Sequence, residues 1–209
     1  MTPSRASAGL GHDDGVLRGT FVFGYGSLAI VPSLVPGRAF AADGFVADLA
    51  GFERSWGVAM DNRVDLPGYK YYTDERGRRP ELYVTYLDIR ERAGASVNGV
   101  CIPVDDGRLA ELDARERNYE RVDVSDRLGV DGVQIWTYVG SAAGRRRLGR
   151  GRALGQAVID ANYLGLVRAA FRQLGAVEYD VCAASLSPGD LPVAELTRVE
   201  LPATVGPEG

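Results

Sequence analysis

The first apolar run of the chain ends in a glycine-rich turn that reads Phe23-Gly24-Tyr25-Gly26-Ser27-Leu28. Residues 20–23 are short and apolar, which is typical of a β-strand. Glycine allows close approach of a ligand to the backbone, and successive N–H groups in such a turn can bind an anion. The pattern therefore predicts a strand followed by either a ligand-binding loop or an ordinary tight turn, because two glycines around one residue are a weak signal on their own.

Segments of β type outnumber helices downstream of this turn. The clearest alternation of apolar residues is Val100, Ile102 and Val104, as in a half-buried strand. Because helices are few and do not alternate regularly with strands, the sequence predicts an α+β protein, a small mixed β-barrel flanked by a few helices, and not a doubly wound parallel sheet. The predicted strands cover residues 20–23, 44–56, 82–87, 97–104, 121–124 and 133–139.

Two helices are expected. The first begins at Asp105 or Asp106, either of which can cap a helix N-terminus, and continues to about Arg115. The second covers about residues 154–174 and ends before Gly175, which suits a C-terminal cap.

The length of 209 residues favours one domain with tails. We expect a disordered tail over residues 1–19, a domain over residues 20–185 and an extended, proline-containing tail over residues 186–209. Residues 1–19 lack the apolar core of a signal peptide, and no run of 18 apolar residues occurs, so a cytoplasmic protein without membrane contact is expected.

The rare residues exclude several kinds of chemistry. His12 is the only histidine, and Cys101 and Cys182 lack the spacing of a metal or redox motif, so catalytic triads, Cys-His dyads and zinc sites are not expected. Lys70 is the only lysine. Acid–base chemistry therefore falls to Asp, Glu or Tyr. The net charge of −4 disfavours nucleic-acid binding.

Glu116 is a candidate for acid–base catalysis. Leu109, Leu112 and Glu116 are spaced i, i+3 and i+7, so one face of a continuing helix would direct this carboxylate toward the core. A desolvated carboxylate there suits a general acid or base. Alternatively, the helix ends at residue 114 or 115 and Glu116 forms a salt bridge in the next turn.

Three further features carry polar groups. Residues 61–80 resemble a long polar loop, a type that often forms a lid or binding loop. The arginine-rich residues 144–152 are interpreted as a solvated basic loop in preference to a phosphate or nucleic-acid site. Tyr119, Tyr138 and Tyr163 are either half-buried core residues or groups that orient a polar substrate.

Taken together, these residues resemble the gamma-glutamylcyclotransferase-like superfamily, which includes gamma-glutamylcyclotransferases, ChaC-type cyclotransferases and AIG2-like proteins. The resemblance covers roughly residues 20–185. Its two most specific parts are the turn at residues 23–28, similar to the family's YGSL loop, and Leu112-Asp113-Ala114-Arg115-Glu116, similar to the helix end that carries the catalytic glutamate. It is also carried by residues 49–56 and 97–104 and by Tyr163-Leu164.

The resemblance implies a pocket between the YGSL loop, residues 25–28, and Glu116. The implied reaction cyclises a γ-glutamyl amide to 5-oxoproline and releases the amine, with Glu116 as the catalytic residue and no metal or organic cofactor. The partner would be a small γ-glutamyl molecule, with no nucleic acid or membrane. The implied substrate-binding residues are Tyr25, Gly26, Ser27, Leu28, Tyr138 and Tyr163.

Two other functions stay open within the same fold. One is the pathway-specific removal of a γ-glutamyl protecting group in secondary-metabolite biosynthesis, and the other is non-catalytic binding of a small molecule. The leaving amine, the oligomeric state and the roles of residues 61–80 and 145–152 stay open as well, although both segments are expected to contact the leaving group.

Overall fold

A computed structural model describes residues 18–29 and 44–203. His12 and nearly all of the predicted N-terminal tail lie outside these residues, as do residues 30–43 and 204–209.

Nine strands and four helices make up the described chain, which confirms the α+β class. The strands are β1 (Gly19–Gly24), β2 (Phe45–Asp61), β3 (Lys70–Thr73), β4 (Tyr83–Val104), β5 (Tyr119–Asp123), β6 (Val133–Gly140), β7 (Ala157–Asp160), β8 (Val193–Ala194) and β9 (Thr197–Glu200). The helices are α1 (Asp106–Arg115), α2 (Ala142–Ala153), α3 (Ala161–Leu174) and α4 (Ala176–Ser185).

The long strand β4 organises a mixed, seven-stranded sheet. The strands follow the order β5-β6-β1-β4-β7-β8, and β2 pairs antiparallel with β4 along most of its length. The N-terminal part of β4 pairs with β7, whereas its C-terminal part pairs with β1. The predicted strands at residues 82–87 and 97–104 are therefore parts of one strand, whose intervening residues 90–94 are exposed. Solvent exposure explains why that middle stretch is polar.

The helix predicted over residues 154–174 is wrong in its first part. The helix α3 begins only at Ala161, because the Asp160 carboxylate accepts hydrogen bonds from the backbone N–H groups of Asn162 and Tyr163 and thereby caps it. Residues 157–160 form β7 instead. The predicted end before Gly175 is confirmed, and Gly175 has a positive φ of 120°.

The arginine-rich run is a helix, α2, and not the solvated loop that we expected. The Ser141 hydroxyl caps it by accepting from the N–H of Gly144. Its glycines are packing residues: a Cβ at Gly151 would lie 2.7 Å from Tyr83 Cβ, and one at Gly144 would lie 2.8 Å from Asn118 O. Glycines that usually indicate a loop are required here because the helix packs closely on the sheet.

The C-terminal segment is extended, and it packs against the rest of the fold as far as Ala203. The strand β9 pairs antiparallel with β3, which lies inside the predicted loop at residues 61–80. Leu191 and Leu196 are buried. In the described ranges, none of the helices is both long and apolar enough to cross a membrane.

Candidate functional site

A cavity of about 640 Å³ opens where the YGSL loop, the end of α1 and the start of α3 meet the β3–β9 pair. Ser27 and Glu116, which are far apart in the sequence, both line it. The remaining lining residues are Gly68, Tyr69, Lys70, Tyr72, Tyr86, Arg115, Asn118, Tyr119, Asp160, Asn162, Tyr163, Leu166, Leu196, Thr197, Arg198 and Glu200.

The YGSL loop follows β1 directly and closes as a short 3₁₀ turn over Ser27–Ala29, in which the N–H of Ala29 donates to the carbonyl of Gly26 at 2.9 Å. Gly24 is necessary because a Cβ there would lie 2.6 Å from the backbone of Leu28. A Cβ at Gly26 would lie 3.2 Å from Tyr163 Oη. The turn thus requires glycine at position 24, whereas at position 26 a side chain would fit only if the Tyr163 phenol shifted by a few tenths of an ångström.

Glu116 is the C-terminal cap of α1, and its N–H donates to the carbonyl of Leu112 at 2.8 Å. Its side chain is only 14% exposed and accepts a hydrogen bond from Arg115 Nε at 3.0 Å. Both sequence interpretations therefore describe part of the result: the helix ends at Arg115 and Glu116 forms a salt bridge, yet the carboxylate also lines the cavity.

Tyrosines form much of the cavity wall. The rings of Tyr86 and Tyr163 meet edge to face, with centroids 5.1 Å apart, and Tyr86 Oη lies 2.9 Å from Tyr72 Oη. Tyr119 Oη donates to the carbonyl of Leu87 at 2.7 Å. Burial raises the pKa of Tyr86, Tyr119 and Tyr163 above the ordinary value. These phenols therefore stay protonated near neutral pH. Because Tyr86 already donates to Tyr72 and Tyr119 to Leu87, Tyr163 is the one of the three that can donate a hydrogen bond to a ligand.

Asn62 holds the segment between β2 and β4 in place. It is fully buried, its Nδ2 donates to the carbonyls of Tyr72 and Pro80, and its Oδ1 accepts from the N–H of Tyr72. Asn62 lies at the start of the predicted loop at residues 61–80, and its side chain hydrogen-bonds to Pro80 at the end of that loop and to Tyr72 between them. As a result, Tyr69 and Lys70 are placed in the cavity wall.

Asn118 connects the cavity to α2. Its Nδ2 donates to Tyr69 Oη at 3.2 Å, and its Oδ1 accepts from Arg147 Nη2 at 2.7 Å. Arg147 Nε also donates to the carbonyl of Ala59. The helix α2 is therefore connected to the cavity wall by successive hydrogen bonds from Arg147 to Asn118 and from Asn118 to Tyr69. None of the arginines of α2 lines the cavity itself.

The charged groups of the cavity are mostly paired within the protein. Arg115 pairs with Glu116, and Arg198 pairs with Glu200. Lys70 instead places its Nζ 4.6 Å from the ring centre of Tyr86 and 5.2 Å from that of Tyr69. Burial, assisted by the charge of Arg198, lowers the pKa of Lys70 to about 8.

Some of the site residues predicted from the sequence line the cavity, and the others lie behind its wall. Ser27, Glu116, Tyr119 and Tyr163 line the cavity. Gly26 faces Tyr163 from the loop, and Leu28 packs against the small apolar cluster that includes Leu109 and Leu112.

The other two tyrosines lie behind this wall. Tyr25 is buried and donates from its Oη to the carbonyl of Tyr138 at 2.7 Å, and Tyr138 Oη donates to Asp113. Tyr138 is therefore placed to support the YGSL loop, not in the cavity lining. Sequence reasoning missed the β9 residues Thr197, Arg198 and Glu200, because no local motif indicates that β9 pairs with β3. It also missed Asn118, because its contacts with Tyr69 and Arg147 join segments that are far apart in the sequence.

A second cavity of about 700 Å³ lies elsewhere, between β2, β4 and α4. Arg54 lines it, but this guanidinium is engaged by neutral groups: it donates to Ser185 Oγ and to the carbonyl and Oδ1 of Asn98, and it stacks over Phe171. Among the residues that the structure describes, none lines both cavities.

Within residues 18–29 and 44–203, no group of three or more His, Cys, Asp or Glu side chains is arranged to hold an ion.

Comparison with known proteins finds similarity at the level of the fold. An uncharacterized protein from Homo sapiens is 17% identical, with a TM-score of 0.49 over 79% of this chain and 86% of that one. A structure named gamma-glutamyl cyclotransferase is 15% identical, with a TM-score of 0.48 over the same shares. A protein from Arabidopsis thaliana is 22% identical, with a TM-score of 0.38 over 61% of this chain and 72% of that one. No protein-family model and no curated protein matches the chain.

Proposed function

We propose that the chain is a γ-glutamyl cyclotransferase, which converts a γ-glutamyl amide to 5-oxoproline and releases the amine. The observation that carries this proposal is that Ser27 of the YGSL loop and the Glu116 carboxylate line one cavity, with Tyr163 beside Ser27. These are the residues on which the resemblance to the superfamily depends, and the fold brings them together.

The reaction needs few protein groups because the substrate supplies its own nucleophile. The α-amine nitrogen attacks the γ-carbonyl carbon, a ring C–N bond forms, and the bond to the leaving nitrogen breaks. Glu116 accepts the proton from the attacking amine and delivers it to the leaving amine. Holding the γ-glutamyl chain in a folded shape makes the attack intramolecular, and such orientation reaches effective molarities of ~10⁵ M or more.

The YGSL loop supplies hydrogen-bond donors in this proposal. Among the described residues, no acceptor is found for the backbone N–H groups of Ser27 and Leu28. Donors of this kind can bind the substrate α-carboxylate or the oxyanion that develops at the γ-carbonyl. The protonated phenol of Tyr163 lies next to them and can donate a further hydrogen bond.

The chemistry of the chain is consistent with a cytoplasmic enzyme. Both cysteines are free and buried, and proteins of reducing compartments usually lack disulfides. A small γ-glutamyl molecule is the only partner that the proposal requires.

The test is to incubate the purified protein with glutathione, γ-glutamyl-alanine and a panel of γ-glutamyl amines, and to measure 5-oxoproline by mass spectrometry. The proposal is supported if any compound of the panel yields 5-oxoproline with the wild type and none with the Glu116→Gln variant. Product from larger biosynthetic γ-glutamyl amides alone would favour removal of a protecting group. Binding of γ-glutamyl compounds without product would favour the non-catalytic alternative and overturn the enzymatic one.

A further inference from the structure

The wall of the cavity opposite the YGSL loop carries a cation that is not needed for the cyclisation chemistry. Lys70 is the only lysine in the chain, and it lies at the start of β3, inside the segment that Asn62 holds in place. Its position along the cavity follows from three successive contacts. Ser27 lies beside the Tyr163 phenol, the Tyr163 ring meets the Tyr86 ring, and Lys70 Nζ lies over the Tyr86 ring.

Two aromatic rings therefore separate Lys70 from the YGSL loop. A substrate whose γ-glutamyl end is bound at Ser27 and Glu116 would extend its other end along these rings. The group that reaches Lys70 then belongs to the leaving amine and not to the γ-glutamyl part.

The positive charge of Lys70 favours an anionic ligand. Within the described ranges, the carboxylates nearest to it are engaged elsewhere: Glu116 pairs with Arg115, and Glu200 pairs with Arg198. The ammonium lies over the faces of Tyr69 and Tyr86, and the charges of Glu116 and Glu200 also favour its protonated form although neither carboxylate forms a salt bridge with it within the described ranges. A half-buried cation without a salt-bridge partner gains a charge-assisted hydrogen bond when an anionic ligand binds.

We propose that Lys70 is a specificity-determining residue that binds a carboxylate on the leaving amine, so that the discrimination between an anionic and a neutral leaving amine depends on this one side chain. This inference rests on the proposed cyclotransferase function. Arg198, whose charge lies close enough to Lys70 to affect its protonation, adds positive potential on the same side.

The experiment compares two substrates that differ only in charge at the far end: γ-glutamyl-alanine and γ-glutamyl-alaninamide. The wild type should show a kcat/KM about 10- to 100-fold higher for the carboxylate, the range of one charge-assisted hydrogen bond. Lys70→Met should remove this preference by raising KM for γ-glutamyl-alanine alone, and Lys70→Arg should restore part of it. Arg76→Met is the matched control, because Arg76 lies in the same segment, is exposed and does not line the cavity.

An equal loss for both substrates in Lys70→Met, or a preference that survives the substitution, would overturn the role of Lys70 while leaving the cyclotransferase proposal intact. The proposed function is decided by the full panel of γ-glutamyl compounds, and if the wild type converts neither of these two substrates, a separate measurement decides the binding role. Lysine-selective isotope labelling gives a single side-chain NMR signal, because the chain has one lysine. A signal that shifts with γ-glutamyl-alanine but not with the alaninamide supports carboxylate binding, and a signal that responds to neither ligand overturns it.

Discussion

Gly26 lies against Tyr163 at the point where the YGSL loop meets α3, and a Cβ at Gly26 would approach Tyr163 Oη to 3.2 Å. We expect Gly26→Val to push the phenol away from Ser27, because overpacking a fitted contact costs about 1–3 kcal/mol. KM should rise at least about tenfold while the circular dichroism spectrum stays native. Ser27→Ala should be milder, because its backbone N–H is retained.

Gly165→Val is the control for that substitution, because a Cβ at Gly165 in α3 meets no atom within 4 Å. Normal substrate binding by a folded Gly26→Val protein would contradict the assigned role of the loop backbone.

Glu116→Gln preserves the shape of the side chain and removes the proton acceptor. Turnover should fall by roughly 10²–10⁴-fold, the usual contribution of a general acid or base, with little change in binding. The matched control is Glu111→Gln, also on α1, where the exposed carboxylate pairs with Arg108 at the surface. Steady-state kinetics of both variants checks the assignment, and activity retained by Glu116→Gln would exclude it.

The parts of the site with local sequence signatures could be predicted. Two such signatures are the glycine turn before Ser27 and the i, i+3, i+7 spacing of Leu109, Leu112 and Glu116. Each lies within a few residues of sequence, and both Ser27 and Glu116 line the cavity. A cap at Asp105 or Asp106 could be predicted for the same reason, and in the structure Asp105 caps α1.

The wall that carries Lys70 could not be predicted, because it depends on pairing over long range. Lys70–Thr73 becomes a strand only by pairing with Thr197–Glu200, a segment near the opposite end of the chain. The prolines around that segment suggested an extended tail, and the polar surroundings of Lys70 suggested a loop. Likewise, the glycines of α2 suggested a loop because their contacts with Tyr83 and Asn118 cannot be inferred from neighbouring residues.

Lys70 should destabilise the folded protein at neutral pH. Its pKa is lowered from 10.5 to about 8 on folding, so the unfolded chain binds more protons between these values and wild-type stability rises as the pH increases from 8 toward 10.5. We expect Lys70→Met to increase the free energy of unfolding at pH 7 by about 1–2 kcal/mol, less than the full shift implies because Lys70 is only half-buried. Urea unfolding at pH 7, 9 and 10 should show this gain shrinking, and a gain independent of pH would contradict the prediction.

Cys101 and Cys182 should be dispensable for chemistry. Both are fully buried, and burial raises the pKa of Cys101 to about 12 and that of Cys182 above its ordinary value, so neither is a reactive thiolate near neutral pH. The double variant with alanine at both positions should keep its kcat, with a stability loss of about 1–2 kcal/mol. His12→Ala should also keep it. Loss of turnover in a variant that stays folded would indicate a thiol or imidazole mechanism.

Arg147 and Arg146 are neighbours on α2 that should behave differently. Arg147 donates to the buried Asn118 and to the carbonyl of Ala59, and Asn118 in turn donates to Tyr69 in the cavity wall, whereas Arg146 is exposed. Arg147→Met leaves buried acceptors unpaired, at a cost of about 1–3 kcal/mol. It should also lower kcat/KM, because Tyr69 loses the residue that positions it.

Arg146→Met should change stability by less than about 0.5 kcal/mol and leave the kinetics unchanged. Denaturant unfolding and steady-state kinetics on the pair separate two roles for the arginine-rich helix. If its charge attracted an acidic substrate from a distance, the two variants would lose kcat/KM equally, and both losses would diminish at high ionic strength. A loss confined to Arg147→Met and insensitive to salt is expected from the relay through Asn118, since that contact is partly buried and short.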